Sequence, residues 1–136
     1  MNFISRLVIA YGVVAATSVF AGDLNGTFRG KTPVARRDCT VRVSTDNQTG
    51  ISVEVRVGDD VISMPTTSDM RQTGAGSFRA TAQFDNRGVV PIVGDITTDL
   101  IYRDGDLSEV KSVSRTLLIA VPQKQTLRCV KLQRVR

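Results

Sequence analysis

The chain has no histidine and no tryptophan, only two cysteines, and only two glutamates, Glu54 and Glu109. Each scarcity closes off chemistry. Without His there is no imidazole general base, no Ser-His or Cys-His nucleophile pair and no His metal ligand. Catalysis would have to come from carboxylates, a Ser-Lys pair or Tyr. Aromatics are also sparse, at 5% of residues. Single-strand nucleic-acid binders stack bases on aromatics along a cationic groove. Here Phe78 and Phe84 share the strand parity of Ala80 and Ala82 and read as core instead.

Charge is absent from residues 7–20, a 14-residue stretch rich in Val, Ala and Leu that follows a single early cation, Arg6. As a helix it would rise about 21 Å, short of the roughly 30 Å hydrocarbon core of a bilayer. Val19 and Ala21 stand at the −3 and −1 positions of a small-residue cleavage site before Gly22. Residues 1–21 therefore read as a cleavable signal peptide and residues 22–136 as a single mature domain. The mature form is not expected to span a membrane. Export places it in the periplasm or outside the cell, which also argues against a nucleic-acid partner.

In an oxidising compartment an even pair of cysteines bridges. Cys39 and Cys129 are expected to form one disulfide; no CxxC motif marks a redox site. Closing a loop of that length contributes roughly 4 kcal/mol on a chain-entropy estimate.

What is plentiful is alternation. CTVRVST (39–45) and ISVEVRV (51–57) each put Val on one face and polar residues on the other. The turn-rich DNQTG (46–50) joins them into a hairpin. Pairing Thr45 with Ile51 sets Cys39 opposite Val57 and Arg42 opposite Glu54, consistent on both faces. SFRATAQF (77–84) alternates likewise, with Phe78, Ala80, Ala82 and Phe84 inward. RDGD (103–106) carries Asp104-Gly105, a two-residue hairpin turn.

Other segments are read from their breakers. DVISM (60–64) is a short strand stopped by Pro65, and 65–76 is a loop. DNRG (85–88) and PQKQ (122–125) are turns. VVPIV (89–93), with Pro91, belongs on an edge or at a bend. TLRCVKLQRV (126–135) changes parity near Cys129–Val130, which calls for a bulge or burial on both faces. About eight short strands without a convincing helix make an all-β protein. A single antiparallel barrel is the first reading and a sandwich the alternative.

Candidate chemistry is thin. SEVK (108–111) matches S-x-x-K, but that spacing joins Ser to Lys on a helix, and this segment reads as strand, where i and i+3 face opposite ways. Asp59-Asp60 and Asp104/Asp106 sit in turns, without EF-hand spacing. TGAGS (73–77) lacks the strand–helix setting of a phosphate loop. No cofactor and no metal is expected, and the protein is not expected to be an enzyme.

Fourteen of the 18 basic residues are Arg, and the mature chain carries a net charge of +4. Arg29, Lys31, Arg36, Arg37, Arg42 and Arg56 form a candidate patch for an anionic partner. The partner would be a protein or envelope component of acidic character, such as lipopolysaccharide or a cell-wall polymer.

The mature start, LNGTFRG (24–30), resembles the opening strand of lipocalin-like and other calycin-type small barrels. Those chains often begin with Gly, any residue, then an aromatic that plugs one barrel end. Gly26, Thr27 and Phe28 stand in those places, with Phe in place of Trp. The resemblance implies a binding or inhibitory barrel in which Phe28 is structural. The expected function is an exported, non-catalytic binding module. The alternatives are an inhibitor of a secreted or envelope hydrolase, using a loop such as 65–76, or a hydrolase using Ser-Lys or carboxylates.

Overall fold

The structure is a computed structural model that describes residues 24–46, 50–87, 91–118 and 121–135; the expected leader lies outside them. Nine antiparallel strands form one nearly closed, barrel-shaped sheet: β1 (Gly26–Lys31), β2 (Asp38–Thr45), β3 (Ile51–Val57), β4 (Asp60–Thr67), β5 (Met70–Gly74), β6 (Ser77–Arg87), β7 (Pro91–Arg103), β8 (Asp106–Leu118) and β9 (Val121–Arg134). Their order around the sheet is β4-β3-β2-β1-β9-β8-β7-β6-β5. Each strand lies beside its sequence neighbour, and β1 zips to β9. The remaining seam falls between β4 and β5. There Thr81 N donates to Asp69 O at 2.9 Å and Thr67 Oγ1 to Thr81 O at 2.8 Å. No helix among the described residues is long and apolar enough to cross a membrane.

The period-2 pattern explains the core. Val41, Val43, Val53, Val55, Val57, Ile62 and Met64 point inward with Phe28, Leu100, Leu107 and Val110, all at most 3% exposed. Polar residues of the same strands point out. Apolar-in and charged-out is the reverse of a lipid-facing barrel. The β2–β3 hairpin has the expected register throughout, from Cys39↔Val57 through Arg42↔Glu54 to Thr45↔Ile51. Asp104 (φ 55°) and Gly105 (φ 83°) make the tight turn between β7 and β8, both in the left-handed region that a type I′ turn requires.

Cys39 and Cys129 are bridged, with Cα atoms 6.1 Å apart. Cys39 is on β2 and Cys129 on β9, so the bridge straddles β1. Gly30, paired with Cys39, passes beneath it. A Cβ at Gly30 would come within 2.3 Å of Val130 O and 3.3 Å of Cys129 Sγ. Only glycine lets the strap close over the strand at this spacing. The expected bulge in β9 is present one residue on: Lys131 has φ 54°, the β1–β9 register slips there, and Leu132 turns inward.

Four expectations are corrected. Residues 65–76 are not a loop: β4 continues through Pro65 to Thr67, and β5 follows from Met70. Proline is tolerated because β4 borders the seam and its register with β3 slips between Met64 and Thr67. Pro91 is not on an edge strand; it opens β7, which lies between β6 and β8. DNRG and PQKQ are not turns. β6 runs on to Arg87, and β9 already begins at Val121. Residues 119–120, between β8 and β9, lie outside the described residues.

These longer strands create the main asymmetry of the fold. β1 pairs with β9 only from Val130 onward, and β5 pairs with β6 only up to Ala80. Beyond those points, and past the contacts of Thr81 with Asp69 and Thr67, no other strand pairs with β6–β9 among the described residues. From Leu127, the last buried residue on that arm of β9, to Val121 is about 20 Å at the usual strand rise.

Candidate functional site

The inward rows of β6–β9 change character as they leave the core. Phe78, Leu100, Val110 and Cys129 form one row, all buried. The next inward row is Ala80, Thr98, Ser112 and Leu127. Thr98 and Ser112, fully buried, satisfy each other through a 2.8 Å hydroxyl–hydroxyl hydrogen bond. In the row beyond, Ala82 and Ile96 are still buried, while Ser114 is half-buried and Gln125 exposed. On β1 Phe28 is fully buried. The Arg134 guanidinium lies 4.8 Å over its ring, in the geometry of a cation–π contact. The same guanidinium donates to Asn25 O at 2.8 Å and to Asp106 Oδ1 at 2.9 Å. Tyr102 donates to Leu24 O beside it. Burial raises the Tyr102 pKa well above the ordinary phenol value, and the nearby Arg134 charge offsets part of that rise.

The candidate anionic-partner residues are brought partly together. Arg29, Thr40 and Arg56 share one outward row across β1, β2 and β3. Arg42 lies one outward row away, diagonal to both Arg29 and Arg56, at about 7–8 Å between Cα atoms. All three guanidinium groups are exposed. Arg56 has a weak partner in Glu54 at 3.9 Å. No acidic side chain is within ion-pair distance of Arg29 or Arg42 among the described residues. Lys31 is different, because its ammonium is paired with Asp38. That hydrogen bond, the Lys31 charge and, less strongly, Arg29 hold the Asp38 carboxyl below its usual pKa.

Arg36 and Arg37 are carried by the β1–β2 turn. Thr32 N donates to Arg37 O, Arg37 N to Thr32 Oγ1, and Thr32 Oγ1 to Val34 O. Ala35 and Arg36 adopt the left-handed conformation. Arg37 lies over Gly58 in the neighbouring β3–β4 turn. So three of the six residues share a sheet face, two stand at its end, and one is neutralised.

The outer face of β6–β9 is also charged, but its charges are paired. Arg79 meets Asp99 at 2.7 Å, Arg128 and Arg103 meet Glu109 at 3.3 and 3.6 Å, and Arg115 faces Asp95 at 3.6 Å. The hydrogen bond and charge of Asp99 raise the Arg79 pKa. Asp95 Oδ1 is shielded from solvent without a hydrogen bond, so its contact with Arg115 is ionic only. A shallow groove of about 330 Å³ lies on this face against Asp99, Glu109, Lys111 and Arg128. Sequence reading missed this face as a unit. Its traces were the outward parity of Arg79, Thr81 and Gln83 and the polar parity of Asp95, Thr97 and Asp99.

The remaining motifs have structural settings. Ser108 and Lys111 are both on strand β8, without the adjacent helical turns that an S-x-x-K pair uses. Asp104 forms a turn and Asp106 accepts from Arg134. Among the described residues no three His, Cys, Asp or Glu side chains are grouped to hold a metal ion. In TGAGS, Gly76 O accepts from Tyr102 N at 2.7 Å. The Asn25 side chain accepts from both the backbone and hydroxyl of Thr45.

In comparisons with known proteins, no protein-family model, no curated protein and no solved structure matches this chain.

Proposed function

We propose that the protein is an exported, non-catalytic binding module of the cell envelope or extracellular space, and that it takes an acidic partner on the outer face of β1–β3. The observation that carries this reading is the convergence of Arg29, Arg42 and Arg56 on one rigid face. Arg binds carboxylate and phosphate in bidentate geometry, and the Cys39–Cys129 bridge holds two of the three strands at fixed spacing from β9. The disulfide is compatible with an oxidising compartment. The resemblance to lipocalin-like barrels adds a binding or inhibitory role by analogy. In it, Gly26-Thr27-Phe28 belongs to the closed end, under Arg134.

The test is retention of the disulfide-bonded protein on an immobilised anionic glycan. The triple variant R29Q/R42Q/R56Q should elute at markedly lower salt than the wild type. The charge-matched control R103Q/K111Q/R128Q should elute close to the wild type. Equal losses in both variants would mean that net charge alone governs retention, and would overturn the assignment of the face.

A further inference from the structure

We propose that the outer face of β1–β3 is a phosphate-monoester site, in which the phosphoryl group seats over Thr40 within a ring of Arg29, Arg42 and Arg56. The inference rests on the reading of that face given above and names the group it takes. Thr40 is the centre of the array. It pairs directly with Arg29 on β1 and with Arg56 on β3, and Arg42 follows two residues along β2. All four share the outward parity, alternating with the buried Phe28, Cys39, Val41 and Val55. Directly paired residues stand about 5 Å apart, and next-but-one residues along a strand about 7 Å. Long Arg side chains cover those distances, so three forked donors can close on one point above the short Thr40 side chain. The Thr40 hydroxyl, half-buried, supplies a further donor there.

Shape and charge select the ligand. A carboxylate is planar, carries one charge and is satisfied by one forked Arg. A phosphate monoester carries nearly two charges and three acceptor oxygens. Three guanidiniums around a central hydroxyl match the second. The charge balance agrees. Glu54 lies opposite Arg42 and 3.9 Å from Arg56, and Lys31 and Asp38 offset one another as a pair. Three guanidiniums against the single carboxylate of Glu54 leave two positive charges in excess. No aromatic side chain stands in these outward rows. A sugar ring or base has nothing to stack on, and the anion carries the recognition.

The array is organised before a ligand arrives. The β1–β2 and β2–β3 registers run without a slip through these residues, and Cys39, next to Thr40, is tied to β9 by the disulfide. Fixed spacing of this kind lowers the ordering cost of binding. Two carboxylates bound the site. Asp38 stands two residues before Thr40 on β2, and Glu54 stands across from Arg42. They leave room for one anionic group and disfavour a second beside it. Lys31 acts as a positioning residue, because its pair with Asp38 neutralises the carboxylate nearest to Thr40 along the strand. A phosphorylated polymer and a phospholipid headgroup present the same monoester chemistry to such a site.

The test is a titration of the isotope-labelled, disulfide-bonded protein with glycerol phosphate, at fixed ionic strength and above pH 7, read from backbone amide shifts. The amides of Arg29, Thr40, Arg42 and Arg56 should move together and saturate, and those of the Asp104–Gly105 turn should not. Acetate should bind at least about tenfold more weakly. Thr40→Val, which keeps the β-branched shape, should weaken glycerol phosphate binding roughly tenfold, as expected for one hydrogen bond to a charged group. Arg42→Lys keeps the charge and loses the fork, and should weaken it severalfold. Retention on phosphocellulose and flotation with phosphatidate vesicles separate a polymer source from a lipid one, and Thr40→Val should weaken whichever is bound. The proposal is overturned if acetate binds as tightly as glycerol phosphate, if Thr40→Val and Arg42→Lys both bind glycerol phosphate like the wild type, or if the wild type binds neither carrier. With any of these results, loss of glycan retention in R29Q/R42Q/R56Q would leave the basic face standing as a site that acts by charge alone. Unchanged glycan retention in that triple variant would instead overturn the reading of the face, and this inference with it.

Discussion

In β3, Ile51, Val53, Val55 and Val57 are each at most 3% exposed, and the polar residues between them face water. In β9, every residue from Val121 to Thr126 is exposed. The two stretches differ in chemistry, alternating Ile and Val in β3 against Pro-Gln-Lys-Gln-Thr in β9, and also in what lies beside them. β3 has a neighbour on both sides and a core beneath. The outer arm of β9 pairs with β8 alone among the described residues. Burial follows the apolar alternation of the strand and the closure of the sheet around it together. The Cys39–Cys129 bridge marks the border. It fastens β2 to β9 across β1, at the level where β1 stops pairing with β9.

The comparison can be broken most forcefully at the strap. Replacing both Cys39 and Cys129 with Ser should lower stability by about 4 kcal/mol on the chain-entropy estimate, read as the shift in denaturant midpoint. A loss under about 1 kcal/mol would mean that the barrel half closes without it. The next largest contrast is between two leucines. Leu100→Ala, at a fully buried position, should cost about 2–5 kcal/mol. Leu117→Ala, in the outer arm, should stay within about 0.5 kcal/mol. Equal costs would place the outer arm in the same core as the barrel.

Thr98 and Ser112 are the buried polar pair among the described core residues. Thr98→Val leaves the Ser112 hydroxyl buried without its partner and should cost about 1–3 kcal/mol. The double variant T98V/S112A should recover part of that, and a double-mutant cycle reads the coupling directly. The smallest expected effect concerns alkaline pH. The Tyr102 pKa is raised in the folded state. The stability that its neutral form contributes is therefore fully present below the unfolded value of about 10 and is lost as pH rises beyond it. Melting midpoints should fall above pH 10 in the wild type, and this part of the fall should be absent in Tyr102→Phe.

What could be read from the sequence follows the same border. The β2–β3 register was legible to the residue because both faces and the turn agree on one pairing. The disulfide was legible from the expected leader and an even cysteine count. The seam strand was not: Pro65 and Gly74 read as breakers, yet β4 and β5 lie where the sheet is open and a missing donor is harmless. The outer arms were misread for a sharper reason. Asp85, Asn86 and Gln123 have the chemistry of turns, yet they lie within β6 and β9. Local turn preference points one way, and the pairing of the strands holds the other. The basic face was half legible. Period-2 alternation puts Arg42 and Arg56 outward, but only the placement of β1 beside β2 brings Arg29 to them.

Native-state hydrogen exchange along β8 tests the division between barrel and outer arm most directly. Exchange follows local opening, which is easiest where few apolar contacts are buried. Amides from Leu107 to Ser112 should exchange only on global unfolding, and protection should fall steeply from Ser114 to Leu117. Uniform protection from Leu107 through Leu117 would contradict the account, because it would show the projecting sheet to be one cooperative unit with the strapped barrel.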